Sequence, residues 1–258
     1  MKTLNLVGPN AVDLADRLVP RLDGRVATVE TLPETAARDT DAGAAYGLSN
    51  DGSWIGAGDG ETLSGLLDSL VPDYDITLTI GFDAHLPTVA IGDADPVGDV
   101  VATISDAESD LDPVLDTIPS LDDRVTLESL VQEAKASPLA ERSGAIATFT
   151  GRVRVKDSAD DTRTTHLEFE KYEGVAADRM QAIREELEAR DGVFEVLMHH
   201  RTGVIREGED IVFVVVLAGH REEAFSTVED GINRLKDEVP IFKKESTTDE
   251  EFWIHEQA

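Results

Sequence analysis

The stretch Ile211-Val-Phe-Val-Val-Val-Leu-Ala218-Gly-His-Arg221 joins an uninterrupted apolar run to the start of a helix, and the rest of the chain is read outward from it. A short continuous run of this kind, rich in β-branched residues, reads as a strand covered on both faces. Beyond it Phe225, Val228, Ile232, Leu235 and Val239 recur at steps of three and four. That spacing predicts a helix with one apolar stripe, ended by Pro240. Upstream, Ala145–Val155 and Thr164–Tyr172 read as strands parted by the polar loop 156–163. Ala176, Met180, Ile183 and Leu187 mark a second helix face closing at Asp191-Gly192, and Phe194–His200 returns to strand. Downstream, short strands are expected near Ile241–Lys243 and Phe252–His255. This half of the chain reads as α+β.

The first half alternates differently. Lys2–Val7 is a short apolar strand, followed by Gly8-Pro9-Asn10 and an amphipathic segment bearing Val12, Ala15, Leu18, Val19 and Leu22. Arg25–Val29, Ile76–Ile80 and Thr88–Ile91 are further strand-like runs. Leu63, Leu66, Leu67 and Leu70 lie on an intervening helix, and Asn50-Asp51-Gly52 marks a tight hairpin. Such βα alternation predicts an open α/β sheet. Between the halves, Asp106–Arg124 is acidic and twice interrupted by proline, which reads as a terminal helix or turn followed by a linker. The expected division is a domain over 1–116, a linker over 117–125 and a second domain over 126–258. No internal repeat is present.

The 258 residues include 53 acidic and 23 basic side chains, a formal net charge of −30. A surface of that sign repels phosphate backbones, which disfavours general nucleic-acid binding. Its density fits a high-salt cytoplasm, where self-repulsion is screened over a few ångströms; an ordinary acidic protein is the alternative. No apolar run approaches the ~20 residues of a membrane helix, and the N-terminal residues show no secretory pattern. The expectation is a soluble, cytoplasmic protein without a membrane. Cysteine is absent, which excludes disulfides, thiolate nucleophiles and cysteine-ligated metals. His85, His166, His199 and His255 stand isolated and propose no metal site.

The charge is also unevenly divided. Residues 1–124 carry 24 acids and 6 bases, whereas 125–258 carry 29 and 17. The bases of the second half gather at element ends: Gly151-Arg-Val-Arg154, Gly219-His-Arg221, Lys236, and Lys243-Lys244 after Pro240. Cations spared for one neighbourhood of an acidic domain suggest an anion site, with arginine forks for phosphate and lysine as point charge or nucleophile. For any single one of them, an ordinary surface ion pair is the alternative. In the first half, a phosphate-binding loop would read Gly-x-x-x-x-Gly-Lys-Ser/Thr between strand and helix. Gly8 is present, but Asp13, Leu14 and Ala15 occupy the three diagnostic positions. They put a carboxylate, no ammonium and no hydroxyl where phosphate and magnesium would need amides, lysine and Ser/Thr. No nucleotide binding is expected.

These stretches carry two resemblances. The first ~95 residues resemble the molybdopterin-guanine dinucleotide biosynthesis adaptor (MobB) family. The resemblance rests on the loop position, Gly24-Arg-Val-Ala-Thr-Val29, Tyr46-Gly-Leu-Ser, Tyr74-Asp-Ile-Thr-Leu-Thr-Ile-Gly-Phe82 and Leu86-Pro-Thr-Val89. It implies a P-loop-like α/β domain with a degenerate loop. Residues ~126–256 resemble the catalytic subunit of molybdopterin synthase, the MoaE family. The matching text is Gly144-Ala-Ile-Ala-Thr-Phe-Thr-Gly-Arg-Val-Arg154, Leu167-Glu-Phe-Glu-Lys-Tyr172, His200-Arg-Thr-Gly203, Gly208-Glu-Asp-Ile-Val-Phe213, Gly219-His-Arg-Glu-Glu-Ala-Phe225, Leu235-Lys236 and Pro240-Ile-Phe-Lys-Lys-Glu245.

This second resemblance implies an α/β hammerhead fold and a homodimer that forms a heterotetramer with a small ubiquitin-like sulfur carrier. It implies transfer of sulfur from the carrier's C-terminal thiocarboxylate to cyclic pyranopterin monophosphate (precursor Z), giving the molybdopterin dithiolene. The resemblance places catalysis on Lys236 and Lys243, and substrate contacts on Arg152, Val153, Arg154, His220, Arg221, Lys243, Lys244 and Glu245. Lys243 would polarise or temporarily accept the carrier's acyl carbon, and Lys236 would move protons and align substrate. Arg154, His220 and Arg221 would hold the phosphate. No cofactor or metal is implied. Two rival readings remain: a non-catalytic adaptor for carrier or cofactor-assembly proteins, and a nucleotide-dependent enzyme using the first half.

Overall fold

The computed structural model describes the backbone of residues 1–258 apart from 33–43, 51–53, 59, 157, 159–161, 248–250 and 255–258. The chain divides into two compact units, Met1–Val125 and Thr126–Ala258. The turn expected at Asn50-Asp51-Gly52 and the residue His255 lie at or beyond the edge of the described residues.

In the first unit, β1 (Lys2–Val7), α1 (Ala11–Leu18), β2 (Val26–Glu30), a hairpin of β3 (Ala44–Leu48) and β4 (Trp54–Gly58), α2 (Leu63–Leu70), β5 (Ile76–Ile80), β6 (Thr88–Ile91), β7 (Val100–Ile104) and α3 (Asp112–Leu115) succeed one another. The order β2-β5-β1-β6-β7 makes a parallel sheet with β1 at its centre. Alternation sorts its side chains. Leu4, Leu6, Ile76, Leu78 and Ile80 share one core with Leu14, Ala15 and Leu18 of α1. Thr3, Asn5, Thr77 and Thr79 lie on the other face, also buried. There Asn5 donates to the Phe82 carbonyl and accepts from the Thr79 hydroxyl, each at 2.9 Å.

The segment expected as a linker instead closes this unit. Ile118 and Leu121 are buried in its core. Asp123 bridges Lys2, and Arg124 bonds Asp68 at 2.7 Å and the Met1 carbonyl at 2.8 Å. Proline interrupts helix but does not prevent packing, and an apolar residue every three or four positions sufficed to bury the segment.

The second unit begins with α4 (Leu127–Ala136), whose Thr126 and Ser129 form a reciprocal capping box. It continues through β8 (Ala145–Arg152), β9 (Thr164–Lys171), α5 (Glu173–Glu188), β10 (Val193–His200), β11 (Gly203–Arg206), β12 (Asp210–Ala218), α6 (Arg221–Glu238), β13 (Ile241–Thr247) and β14 (Glu251–Ile254). β12 is central in an antiparallel sheet β10-β12-β8, and β11-β9-β13-β14 forms a second antiparallel sheet. The continuous apolar run is therefore a strand buried on both faces. Val212, Val214, Val216 and Ala218 join a core with Ile183 and Leu187 of α5 and Val228, Ile232 and Leu235 of α6. Phe213, Val215 and Leu217, equally buried, are left for the opposite face.

Candidate active site

β8 leaves its sheet at Arg152. The register pairs Arg152 with Asp210, and Arg152 Nε lies 3.1 Å from the Asp210 carboxylate while its Nη2 donates to the Gly208 carbonyl. The next residue is fixed by backbone alone: Val153 N–H donates to Glu209 O at 2.9 Å, and its carbonyl accepts from Gly208 N–H at 3.0 Å. Extended chain alternates sides, so Val153 buries its side chain in the core while Arg152 and Arg154 face a cavity. Val153 thus turns its side chain away from the cavity.

β13 applies the same alternation. Lys243 and Glu245 line the cavity with Ile241 and Phe242 at the start of the strand, whereas Lys244, between the two, does not and instead pairs with Glu168, its cross-strand partner, at 3.8 Å. The Thr164 hydroxyl donates to the Glu245 carboxylate. From the last turn of α6 comes Lys236, flanked by the buried Leu235 and Val239. That end of α6 is held to α5 by an ionic clasp: Arg234 bonds Glu238 and Glu186, each at 2.7 Å, and Arg179 of α5 also reaches Glu238. The Arg234 hydrogen bond holds the Glu238 carboxyl below the usual carboxylate range, against the opposing effect of desolvation.

The resulting cavity has a volume of about 980 Å³. Its floor is apolar, with Phe149, Leu167, Phe169 and Ile211, and among the described residues its charged lining is Arg152, Arg154, Lys236 and Lys243 against one carboxylate, that of Glu245. Four cations to one anion among the described residues, in a chain of net −30, is the local charge balance of a site for an anionic substrate. His200 also lines it, a residue whose motif was visible in the sequence but which carried no assigned role. Strand alternation at the end of β10 would have pointed it inward.

Two expected members are elsewhere. His220 caps the N-terminus of α6 and Arg221 is its first residue; both are exposed and neither lines the cavity. Lys236 lies 16 positions beyond His220 on the same helix, and at 1.5 Å per residue that is about 24 Å.

The fold and cavity describe an enzyme site built for an anion. Residues 122–238 match the family model described as MoaE protein. A probable molybdopterin synthase of Haloferax volcanii is 61% identical, covering 100% of both chains. A molybdopterin synthase catalytic subunit of Pyrococcus abyssi is 36% identical over 48% of this chain and 82% of that protein. A solved molybdopterin synthase from Staphylococcus aureus is 32% identical, covers 45% of this chain and 82% of that one, and has a TM-score of 0.42. The chain belongs to the MoaE family. It is a sulfurtransferase with a role in molybdenum cofactor biosynthesis.

Proposed function

We propose that the cavity of the second unit converts cyclic pyranopterin monophosphate to molybdopterin, taking sulfur from the C-terminal thiocarboxylate of a small ubiquitin-like carrier. The observation that carries this reading is the gathering of Lys236, Lys243, Arg152 and Arg154 over an apolar floor. The arginines suit the substrate's phosphate, the floor suits a flat pterin, and the absence of cysteine suits an enzyme whose sulfur is delivered. Lys243 polarises or accepts the carrier's acyl carbon, Lys236 aligns substrate and moves protons, and Glu245 braces the site through Thr164. His220 and Arg221 reach a cavity only if a second copy supplies them, which agrees with a homodimer within a heterotetramer.

The first unit, in this reading, is a degenerate P-loop-like domain of MobB type that docks or stabilises and does not bind nucleotide. Its support is geometric: α1 starts at Ala11, only three residues after β1, so positions 11–14 are already helix. Leu14 and Ala15, where a lysine and a hydroxyl would stand, are buried. Gly8 makes the sharp turn at φ +133°, and a Cβ there would sit 2.4 Å from the Ile91 carbonyl. The protein works in a cytoplasm of high salt, and its melting midpoint rises with salt as repulsion is screened; a flat or falling midpoint would count against that. The deciding assay supplies the full chain with thiocarboxylated carrier and the cyclic pterin. Dithiolene formation is expected, whereas carrier binding without any sulfur transfer would favour the adaptor reading.

A further inference from the structure

We infer that Glu245 is a specificity-determining residue, whose carboxylate receives the two parallel N–H donors on the aminopyrimidinone edge of the pterin. The inference rests on the sulfur-transfer reading of the cavity and deepens it. A carboxylate is the wrong group for holding an anion, yet Glu245 shares a cavity with Arg152, Arg154, Lys236 and Lys243. Among the described residues none of these four cations pairs with it. Its side chain has one partner, the Thr164 hydroxyl, which donates to Oε1. Ion pairing within the lining therefore does not account for this acid.

The brace is itself fixed. Thr164 is 5% exposed and its N–H donates to the Val155 carbonyl at 2.8 Å. The adjoining Thr165 hydroxyl donates to the Ser246 carbonyl at 2.9 Å, which ties the start of β9 to β13 beside Glu245. In the register of these strands Glu245 stands opposite Leu167, and Lys243 opposite Phe169. Directly opposed residues of antiparallel strands share a face, and Leu167 and Phe169 belong to the cavity floor. A flat ring laid on that floor has the carboxylate and the ammonium along one side. They are two residues apart, or about 7 Å along the strand.

With one acceptor site of Oε1 taken by Thr164, the carboxylate can still accept at both oxygens. The ligand that such a group selects carries two parallel N–H donors, as in the fork by which guanidinium meets carboxylate. Cyclic pyranopterin monophosphate has this arrangement in its 2-amino group and the adjacent ring N3–H. Its phosphate and the pyran carbons that take sulfur lie at the far end of the fused rings. Holding the donor edge at Glu245 accordingly leaves the phosphate to the arginines and brings the sulfur-accepting ring beside Lys243. A ring with oxygen in place of the 2-amino group turns a lone pair toward the carboxylate, and a site built to pair an N–H discriminates against such an analogue.

Calorimetry on the full chain tests this without turnover. The probes are cyclic pyranopterin monophosphate and its analogue with oxygen in place of the 2-amino group. The unsubstituted protein should bind the amino compound ~10- to 100-fold more tightly, the scale of a charge-assisted hydrogen bond. Glu245→Gln should weaken that binding by a similar factor and abolish the preference. The sign separates the roles open to a carboxylate. Removing a mere negative charge from a cationic cavity would tighten a phosphate ligand, and removing a base would slow turnover while leaving affinity as it was. Equal affinity of the unsubstituted protein for the two probes would overturn the assignment, and this arm needs no variant to fold. So would unchanged or tighter binding of the amino compound by folded Glu245→Gln, or a preference that survives the substitution. Failure of the unsubstituted protein to bind either probe would instead sink the pterin reading of the cavity itself.

Discussion

Gly8-Pro9-Asn10 and Gly219-His220 make the same local move, carrying a buried strand into a helix through a short glycine-led turn. The helices they open are put to different uses. After the first turn, α1 commits Leu14, Ala15 and Leu18 to the core and brings no cation to its opening turn, whose charge is Asp13. After the second, α6 buries Ala224, Val228, Ile232 and Leu235 along one stripe but leaves His220 and Arg221 exposed at one end and Lys236 exposed at the other. Shared topology thus says little about chemistry; the deciding factor is which positions the packing releases to solvent or cavity.

The sharpest way to break this comparison is to give α1 the cation it lacks. Leu14→Lys would place an ammonium in a site that is fully buried, at a cost of several kcal/mol. The first unit should lose its cooperative melt, with no gain in nucleotide binding by calorimetry. A folded variant that captures magnesium nucleotide would overturn our account of α1. Next in size, Lys243→Ala should lower sulfur-transfer turnover by at least ~100-fold without moving the melting midpoint, because Lys243 faces the cavity and not the core. Near-normal turnover would remove Lys243 from the mechanism.

The separation of about 24 Å along α6 offers a subtler test. If a second copy supplies His220 and Arg221, then Lys243→Ala and Arg221→Ala chains, each inactive alone, should complement when co-refolded. Random pairing leaves one intact site in half of the dimers, so about a quarter of full activity should return. Strict inactivity of the mixture would place all site residues within one chain. The smallest effect is expected at Glu238. Its carboxyl is held below the usual range by Arg234, so the clasp stabilises above the unfolded carboxylate pKa and is lost as pH falls through the folded one. Thermal melts should therefore show Glu238→Gln slightly less stable at pH 7, with the gap to the unsubstituted protein closing as pH drops below the carboxylate range. A gap independent of pH would mean that packing, not charge, holds α6 to α5.

Much of the fold was legible because it rests on periodicity. β5 and β6 have the bounds that their apolar runs suggest, and the stripe from Phe225 to Val239 became α6. β7, with the bland text Val100-Val-Ala-Thr-Ile104, escaped because it is an edge strand and half exposed. α4 escaped because its amphipathic pattern is short, though its Thr126 cap was a readable start. In the site, Arg152, Arg154, Lys236, Lys243 and Glu245 share the cavity, as their placement at element ends allowed. Val153, just past the end of β8, and Lys244 on β13 do not line the cavity, a distinction that depends on where alternation begins.

The sequence by itself determined the two units' classes, the family of the second, and the lack of a lysine and hydroxyl at positions 14 and 15 after Gly8, since each is written in local spacing and residue type. Only the tertiary structure decided which cations meet. Strand register set Lys243 opposite Phe169 and turned Lys244 away, and helix length put His220 and Lys236 at opposite ends of α6. Only folding, too, brought His200 into the cavity with its Nδ1 hydrogen fixed on the Arg201 carbonyl. The physical reason is the same in each case: convergence in space comes from hydrogen-bond register and side-chain packing between segments far apart in the chain, which no local pattern encodes.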